Sequence, residues 1–291
     1  MQVRGNKYFN IFEVKNMGNL IELINVKKRY GKSIILENIN LSIKPGEAVA
    51  LTGHNGCGKS TMLRIISGLT SVQEGEVRVK DKIKFNYIPD NFPNLPITSR
   101  EYIFRMGLID GLSKEEIEKT SNYFFELFKM KTMINTPIKY LSKGTKQKVG
   151  VIQAMLTKPD VLLLDEPLSG QDISSQRSFI KLVNNLKEEG AAIVMSCHEK
   201  YLINAVSDRL FEIKNKTLKE REVIRQSEDT DVLVFEANEN IELPFQNEKI
   251  QKIENKENEL IIYVDAGFSN SIIVELISNG YVLRRMNSEN I

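Results

Sequence analysis

The chain is poor in cysteine and in long apolar runs, and both shortages narrow what it can be. Two cysteines, Cys57 and Cys197, occur in 291 residues. Two thiols build no disulfide framework and no metal cluster, and their scarcity fits a reducing compartment. No uncharged apolar run reaches the roughly 18 residues that a membrane-spanning helix needs. The opening stretch MQVRGNKYFNIFEVKN is too polar and broken for a secretory signal. Residues 1–16 read as a disordered leader or as a segment upstream of a second start at Met17. Internal repeats and low-complexity tracts are lacking as well.

What is present is ordinary for a folded protein: 41% hydrophobic and 27% charged residues. The length allows one large domain or two. The net charge of +2 hides an asymmetry. From Glu220 onward there are 7 basic and 15 acidic residues, a net of −8, against 33 basic and 23 acidic before it, a net of +10. An acidic tail argues against nucleic-acid binding there, because phosphate attraction dominates that affinity. The basic front is compatible with a solvated surface, nucleic acid, a nucleotide or an anionic membrane face.

Leu20 to Val26 and Ile34 to Ile43 alternate apolar and polar residues, the pattern of half-exposed antiparallel strands. After the Pro45-Gly46 turn, "EAVALTG" is a short buried-type strand, and Thr61 to Leu69 has helical spacing. Pro89 to Pro96 is a proline-rich loop. Beyond it Ser113 and Glu116 form a capping box for a helix carrying Ile117, Tyr123, Phe124, Leu127 and Phe128. The aromatics Phe104, Tyr123, Phe124, Phe125 and Phe128 read as core of a helical insert over about 97–157. "VLLLDEP" and "AAIVMSCH" are two more buried-type strands around a helix from Ser174 to Leu186. Buried strands alternating with helices predict an α/β domain with a parallel sheet over 17–219. From residue 220 to 291 the texture changes to a small α+β module: strands in "TDVLVFEA", "ELIIYVDA" and "GYVLRRM", and a short helix ending at Gly280.

Residues Gly53, His54, Asn55, Gly56, Cys57, Gly58, Lys59, Ser60 and Thr61 fit G-x-x-x-x-G-K-[ST] between a strand and a helix. Glycines let backbone N–H groups curl around phosphate oxygens, the lysine reaches the terminal phosphates, and the serine hydroxyl suits Mg²⁺. His54 reads as a loop spacer, and Cys57 as a small packing residue in preference to a redox switch. Asp165 ends an apolar strand, where a carboxylate needs a cation nearby; a magnesium ion supplies one. Glu166, next in line, is placed as general base toward an attacking water. His198 ends the following strand on the same face and is a candidate donor to the γ-phosphate.

The order of phosphate loop, LSKGT (141–145), VLLLDEP, SGQD (169–172) and His198 resembles the nucleotide-binding domains of ABC transporters, over about 20–215. That resemblance implies a P-loop NTPase of ABC ATPase type: a mixed, mainly parallel sheet with antiparallel N-terminal strands and a helical subdomain. It implies ATP and Mg²⁺ as ligands, Tyr30 stacked on adenine, Asp172 as the D-loop acid and His198 as the switch histidine. It also answers what LSKGT serves. Ser142, Lys143 and Gly144, at a helix N-terminus, would face the γ-phosphate of a second subunit's ATP, so the chain pairs with itself or with a sister ATPase. Three positions depart from the family pattern: Lys143 and Thr145 in the signature, and Asp90 where glutamine is usual, a position that can still reach Mg²⁺ through water.

The implied role is a cytoplasmic subunit on the inner face of the membrane. It would drive a separate permease docked near Asp90 to Arg100, and its tail resembles export systems more than importers. No nucleic acid is expected. A ribosome- or DNA-directed ABC protein and a nucleotide-gated module with little turnover are the alternatives. The tail is expected to be a dimer-contact or regulatory module.

Overall fold

The computed structural model describes residues 18–223, 230–236, 250–256, 259–265 and 268–289. The expected leader at 1–16 lies outside them. The chain divides into two compact units, with the boundary between residues 223 and 224.

The first unit begins with strands β1 (Ile21–Tyr30) and β2 (Ser33–Ile43), which pair antiparallel, as their alternation predicts. β1 also pairs antiparallel with β4 (Glu74–Val79), giving a three-stranded sheet. Between them lie β3 (Ala48–Thr52) and α1 (Lys59–Ile66). The remaining strands are β5 (Phe85–Ile88), β6 (Val161–Asp165), β7 (Ala192–Ser196), β8 (Arg209–Lys214) and β9 (Thr217–Arg221). With β3 they form a six-stranded sheet of order β5-β6-β7-β3-β8-β9, parallel except at β9.

Successive strand residues point to opposite faces, and this sheet feeds two cores. Leu162, Leu164, Ile193 and Met195 join a core with the helices α2 (Ser99–Ile109), α3 (Lys114–Leu127), α4 (Lys143–Met155), α5 (Ile173–Glu188) and α6 (Lys200–Val206). Val161, Leu163, Ala192 and Val194 join the other core, with α1 and the antiparallel sheet. Covered on both faces, such strands read as continuous apolar runs rather than alternating ones. At one end of the sheet the C-termini of β3, β6 and β7 lie side by side, and the segments that follow them carry Lys59, Glu166 and His198.

The helical insert holds its predicted capping box: Ser113 Oγ accepts from the Glu116 N–H, and the Glu116 carboxylate accepts from the Ser113 N–H at 2.8 Å. Of its aromatics, Phe124, Phe125 and Phe128 are buried, Phe104 is half-buried, and Tyr123 is exposed.

The second unit is a four-stranded antiparallel sheet of β10 (Thr230–Glu236), β11 (Ile250–Lys256), β12 (Glu259–Asp265) and β13 (Leu283–Glu289), in the order β11-β12-β10-β13. Helix α7 (Ser269–Ser278) packs Ile272 and Leu276 against Leu233, Phe235 and Ile262. Gly280, at φ +87°, turns the chain out of α7 toward β13.

Candidate nucleotide site

The loop after β3 is shaped by glycines that no other residue replaces cheaply. Gly53, Gly56 and Gly58 all have positive φ. A Cβ on Gly53 would also lie 2.7 Å from both Cys57 Sγ and the Ile213 carbonyl oxygen. Helix α1 then starts at Lys59 with no side chain capping it, so its first N–H groups face outward unpaired by side chains. This is the positive end of a helix, suited to an anion. A cavity of about 260 Å³ opens in front of it, lined by Asn55, Gly56, Gly58, Lys59, Ser60 and Thr61. Tyr30, Ile35, Asp90, Asp165 and Glu166 complete its wall. His54 is exposed with its ring Nδ1 2.9 Å from the Asn55 carbonyl oxygen, and Cys57 is buried. The Tyr30 ring carries the Lys28 ammonium 4.8 Å from its centre.

Asp165 closes β6 almost fully buried, and three hydroxyls hold it. Ser60 Oγ donates to Oδ1 at 3.1 Å, Ser196 Oγ to the same oxygen at 2.5 Å, and the Tyr87 hydroxyl to Oδ2 at 3.0 Å. A buried carboxylate must be paired or hydrogen-bonded, and these three hydroxyls contribute to meeting that need. Tyr87 and Ser196 are site residues that sequence reasoning missed. Burial, reinforced by the Asp165 charge, raises the Tyr87 phenol well above its ordinary range, which keeps it a donor.

Glu166 sits at φ +49°, in the left-handed region, costly for a residue with a Cβ. Its N–H donates to the Ser196 carbonyl at 2.9 Å, anchoring the turn. The carboxylate lies 3.3 Å from His198 Nε2 and 3.9 Å from Lys59 Nζ. Lys59 Nζ also donates to the Gly53 carbonyl at 2.8 Å and lies 2.9 Å from His198 Nε2. His198 Nε2 thus faces both the Lys59 ammonium and the Glu166 carboxylate, and the ring's tautomer sets which of them it serves. Burial pushes the Glu166 carboxyl up to about 7; Lys59 opposes this, while Glu199, Asp165 and Asp90 add to it.

A raised carboxyl favours the folded chain while protonated, so that stability is present below pH 4.5 and lost as pH rises through about 7. Glu166→Gln is therefore expected to be more stable than the parent by on the order of 1–3 kcal/mol at pH 8, and equal to it near pH 4. Urea unfolding at the two pH values checks this; a difference that does not change with pH contradicts it.

Ser142, Lys143 and Gly144 are not lining residues of this cavity, although Lys143 touches Asp90, which is. Ser142 caps α4, its Oγ accepting from the Thr145 N–H at 3.2 Å. Gly144 packs so closely on the turn after Glu166 that a Cβ would lie 1.9 Å from the Gly170 carbonyl oxygen. Asp172 caps α5 by accepting from the Ser175 N–H at 3.0 Å and pairs with Lys148 at 2.7 Å. Those contacts, Lys148 first, hold its carboxyl far below the usual carboxylate range. Lys143 reaches Asp90 at 3.1 Å.

Comparison with known proteins agrees with this geometry. A family model described as ABC transporter matches residues 36–169. An uncharacterized ABC transporter ATP-binding protein of Methanocaldococcus jannaschii is 35% identical over 197 residues, 67% of this chain and 74% of that protein. The chain belongs to the ATP-binding proteins of ABC transporters. A zinc import ATP-binding protein, ZnuC, of Mannheimia succiniciproducens is 36% identical over 190 residues, 64% of this chain and 69% of its own length. Among solved structures, a dimeric ATP-binding cassette bound to ADP and Pi in a post-hydrolysis state superposes with TM-score 0.62 at 27% identity. It spans 70% of this chain and 98% of its own.

This ABC ATPase binds and hydrolyses ATP, with Mg²⁺ as the metal. Its residues fit that ion: a hydroxyl and a carboxylate oxygen, Ser60 Oγ and Asp165 Oδ1, stand 3.1 Å apart at the cavity wall. Among the described residues no group of three or more His, Cys, Asp or Glu forms a metal cage. Mg²⁺ typically takes one or two protein oxygens and completes its shell with phosphates and water. Among the described residues, no helix is long and apolar enough to cross a membrane.

Proposed function

We propose that this ABC ATPase powers a separate membrane permease by closing on a second ATPase subunit, with each chain supplying two half-sites. The observation that carries this is the separation of the two anion-ready ends. Lys59, Glu166 and His198 converge over the phosphate loop, while the Ser142–Gly144 end of α4 is not part of that cavity's lining. In this reading the 53–58 backbone cradles the phosphates and Lys59 meets the terminal ones. Ser60 and Asp165 would hold Mg²⁺, which when bound would supply positive charge against the phosphates. Glu166 takes a proton from the attacking water, His198 donates to the γ-phosphate, and Tyr30 stacks on adenine. Ser142 and Gly144 receive the partner's γ-phosphate, and Asp172 lies in the loop between the two sites. Closure with nucleotide would draw Lys59 away from His198 toward phosphate.

We read the direction as export and the location as the cytoplasmic face of the membrane. The small antiparallel module after residue 223, rather than a barrel, supports export. Import is the second reading, favoured by the 36% identity to a zinc import ATP-binding protein. The test is the ATPase rate of the complex with its permease, reconstituted in sealed vesicles. Stimulation by solutes added on the ATP side supports export, and stimulation only from the opposite side supports import. Turnover below the solution background would favour a nucleotide-gated module.

The second unit has its own core. A chain ending at Val223 is expected to bind MgATP within about twofold of the full chain, by fluorescence titration. Loss of binding would show that 224–291 builds the site rather than serving a dimer contact or regulation.

A further inference from the structure

Two residues that depart from the family pattern, Asp90 and Lys143, lie 53 positions apart and meet. Lys143 Nζ stands 3.1 Å from Asp90 Oδ1, and Asn91 Nδ2 donates to Asp90 Oδ2 at 2.7 Å. Lys143 is the first residue of α4, and that first turn holds no acidic residue. A cation there opposes the helix dipole. A residue that breaks a local rule without local compensation points to a demand from elsewhere. The contact is also supported on both sides. Gln147 Nε2 donates to the Pro89 carbonyl at 3.0 Å and Lys146 Nζ to Asn94 Oδ1 at 2.7 Å, so successive turns of α4 grip the loop that carries Asp90.

The demand is electrostatic. Three carboxylates, Asp90, Asp165 and Glu166, line the cavity beside one lysine, Lys59. A triphosphate entering with one divalent ion still brings net negative charge. Asp165 has its hydroxyl donors, and Glu166 lies 3.9 Å from Lys59 Nζ. Asp90 has the Lys143 ammonium.

We propose that Lys143 is a positioning residue for its own chain's nucleotide site: it holds the Asp90 carboxylate and cancels its charge, so that MgATP enters a cavity with one negative charge fewer. The lysine of the signature segment thus acts within its own chain, through Asp90, rather than on a partner's phosphate. This rests on the reading of residues 53–61 as the phosphate cradle.

The test is a double-mutant cycle on the full chain, read as the dissociation constant of a fluorescent ATP analogue with Mg²⁺. Protein is kept at a concentration where sedimentation shows single chains, so that no partner signature faces the nucleotide. Thermal midpoints confirm that each variant is folded. Lys143→Gln is expected to weaken binding about fivefold at low salt, and less at high salt, as for a partly exposed ion pair. Lys143→Arg, which keeps the charge, should restore wild-type affinity. In an Asp90→Gln background, Lys143→Gln should change binding less than about twofold. Equal losses in both backgrounds would overturn the inference, because Lys143 would then act without Asp90. So would unchanged binding by Lys143→Gln in the chain that keeps Asp90. A wild-type chain that fails to bind the analogue overturns the phosphate-cradle reading itself.

Discussion

Glu166→Gln will bind MgATP within a few-fold of the parent and turn it over at least about 100-fold more slowly. The amide keeps the size and one acceptor oxygen of the side chain but cannot take a proton. The parent carboxyl lies at the cavity wall, 3.9 Å from Lys59 Nζ, and is pushed up to about 7 by burial. A base is most effective with a pKa near the working pH. Turnover of the parent should therefore rise across pH 6 to 8 as Glu166 ionises, and the residual turnover of the variant should be flat there. Steady-state phosphate release against pH reads both. A variant within tenfold of the parent would remove Glu166 from the chemistry.

Gly144→Ala is expected to cost about 1–3 kcal/mol of stability and to slow turnover at least about tenfold, although glycine to alanine inside a helix normally gains up to about 1 kcal/mol. The new methyl would sit 1.9 Å from the Gly170 carbonyl oxygen. That oxygen belongs to a braced turn: the Gln171 side chain donates to the Pro167 carbonyl at 2.8 Å, and its N–H to the Leu168 carbonyl at 3.1 Å. Either the turn or the start of α4 must move. The turn begins at Glu166 and ends at the Asp172 cap, so a shift reaches both. Gly150→Ala is the control, since its methyl would meet the edge of the Phe92 ring at 3.1 Å, a side chain that can yield. Thermal unfolding of the pair checks this. Gly144→Ala as stable as Gly150→Ala would mean that α4 is not locked on the turn.

Features that one segment dictates by itself were legible in the sequence. The 53–61 spacing specifies a phosphate loop because each glycine and the Lys-Ser pair has a local job. "VLLLDEP" and "AAIVMSCH" announce strands covered on both faces, and Ser113 with Glu116 announces a helix start. Features made by distant segments were not legible. Tyr87 and Ser196 meet Asp165 across 78 and 31 residues, and neither belongs to a motif. Asp90 and Lys143 were visible separately as odd residues, but their contact comes only from packing α4 on the 89–94 loop. Strand β11, "IQKIENK", is a polar edge strand with no periodic signal; its pairing with β12 decides it. The buried Asp165 shows how a sound rule can leave the partner open. Burial demanded company for the carboxylate, but it did not name the hydroxyls of Tyr87 and Ser196 that donate to it.

The central claim is that this ABC ATPase closes on a second ATPase subunit to drive a membrane protein. The most direct measurement is a pull-down of tagged Glu166→Gln chain from detergent-solubilised membranes of the source cell with MgATP present, followed by mass spectrometry. The account predicts a multi-span membrane protein together with a second ATPase chain, either untagged copies of this one or a sister subunit. Recovery of ribosomal or DNA-associated proteins with no membrane protein would contradict it.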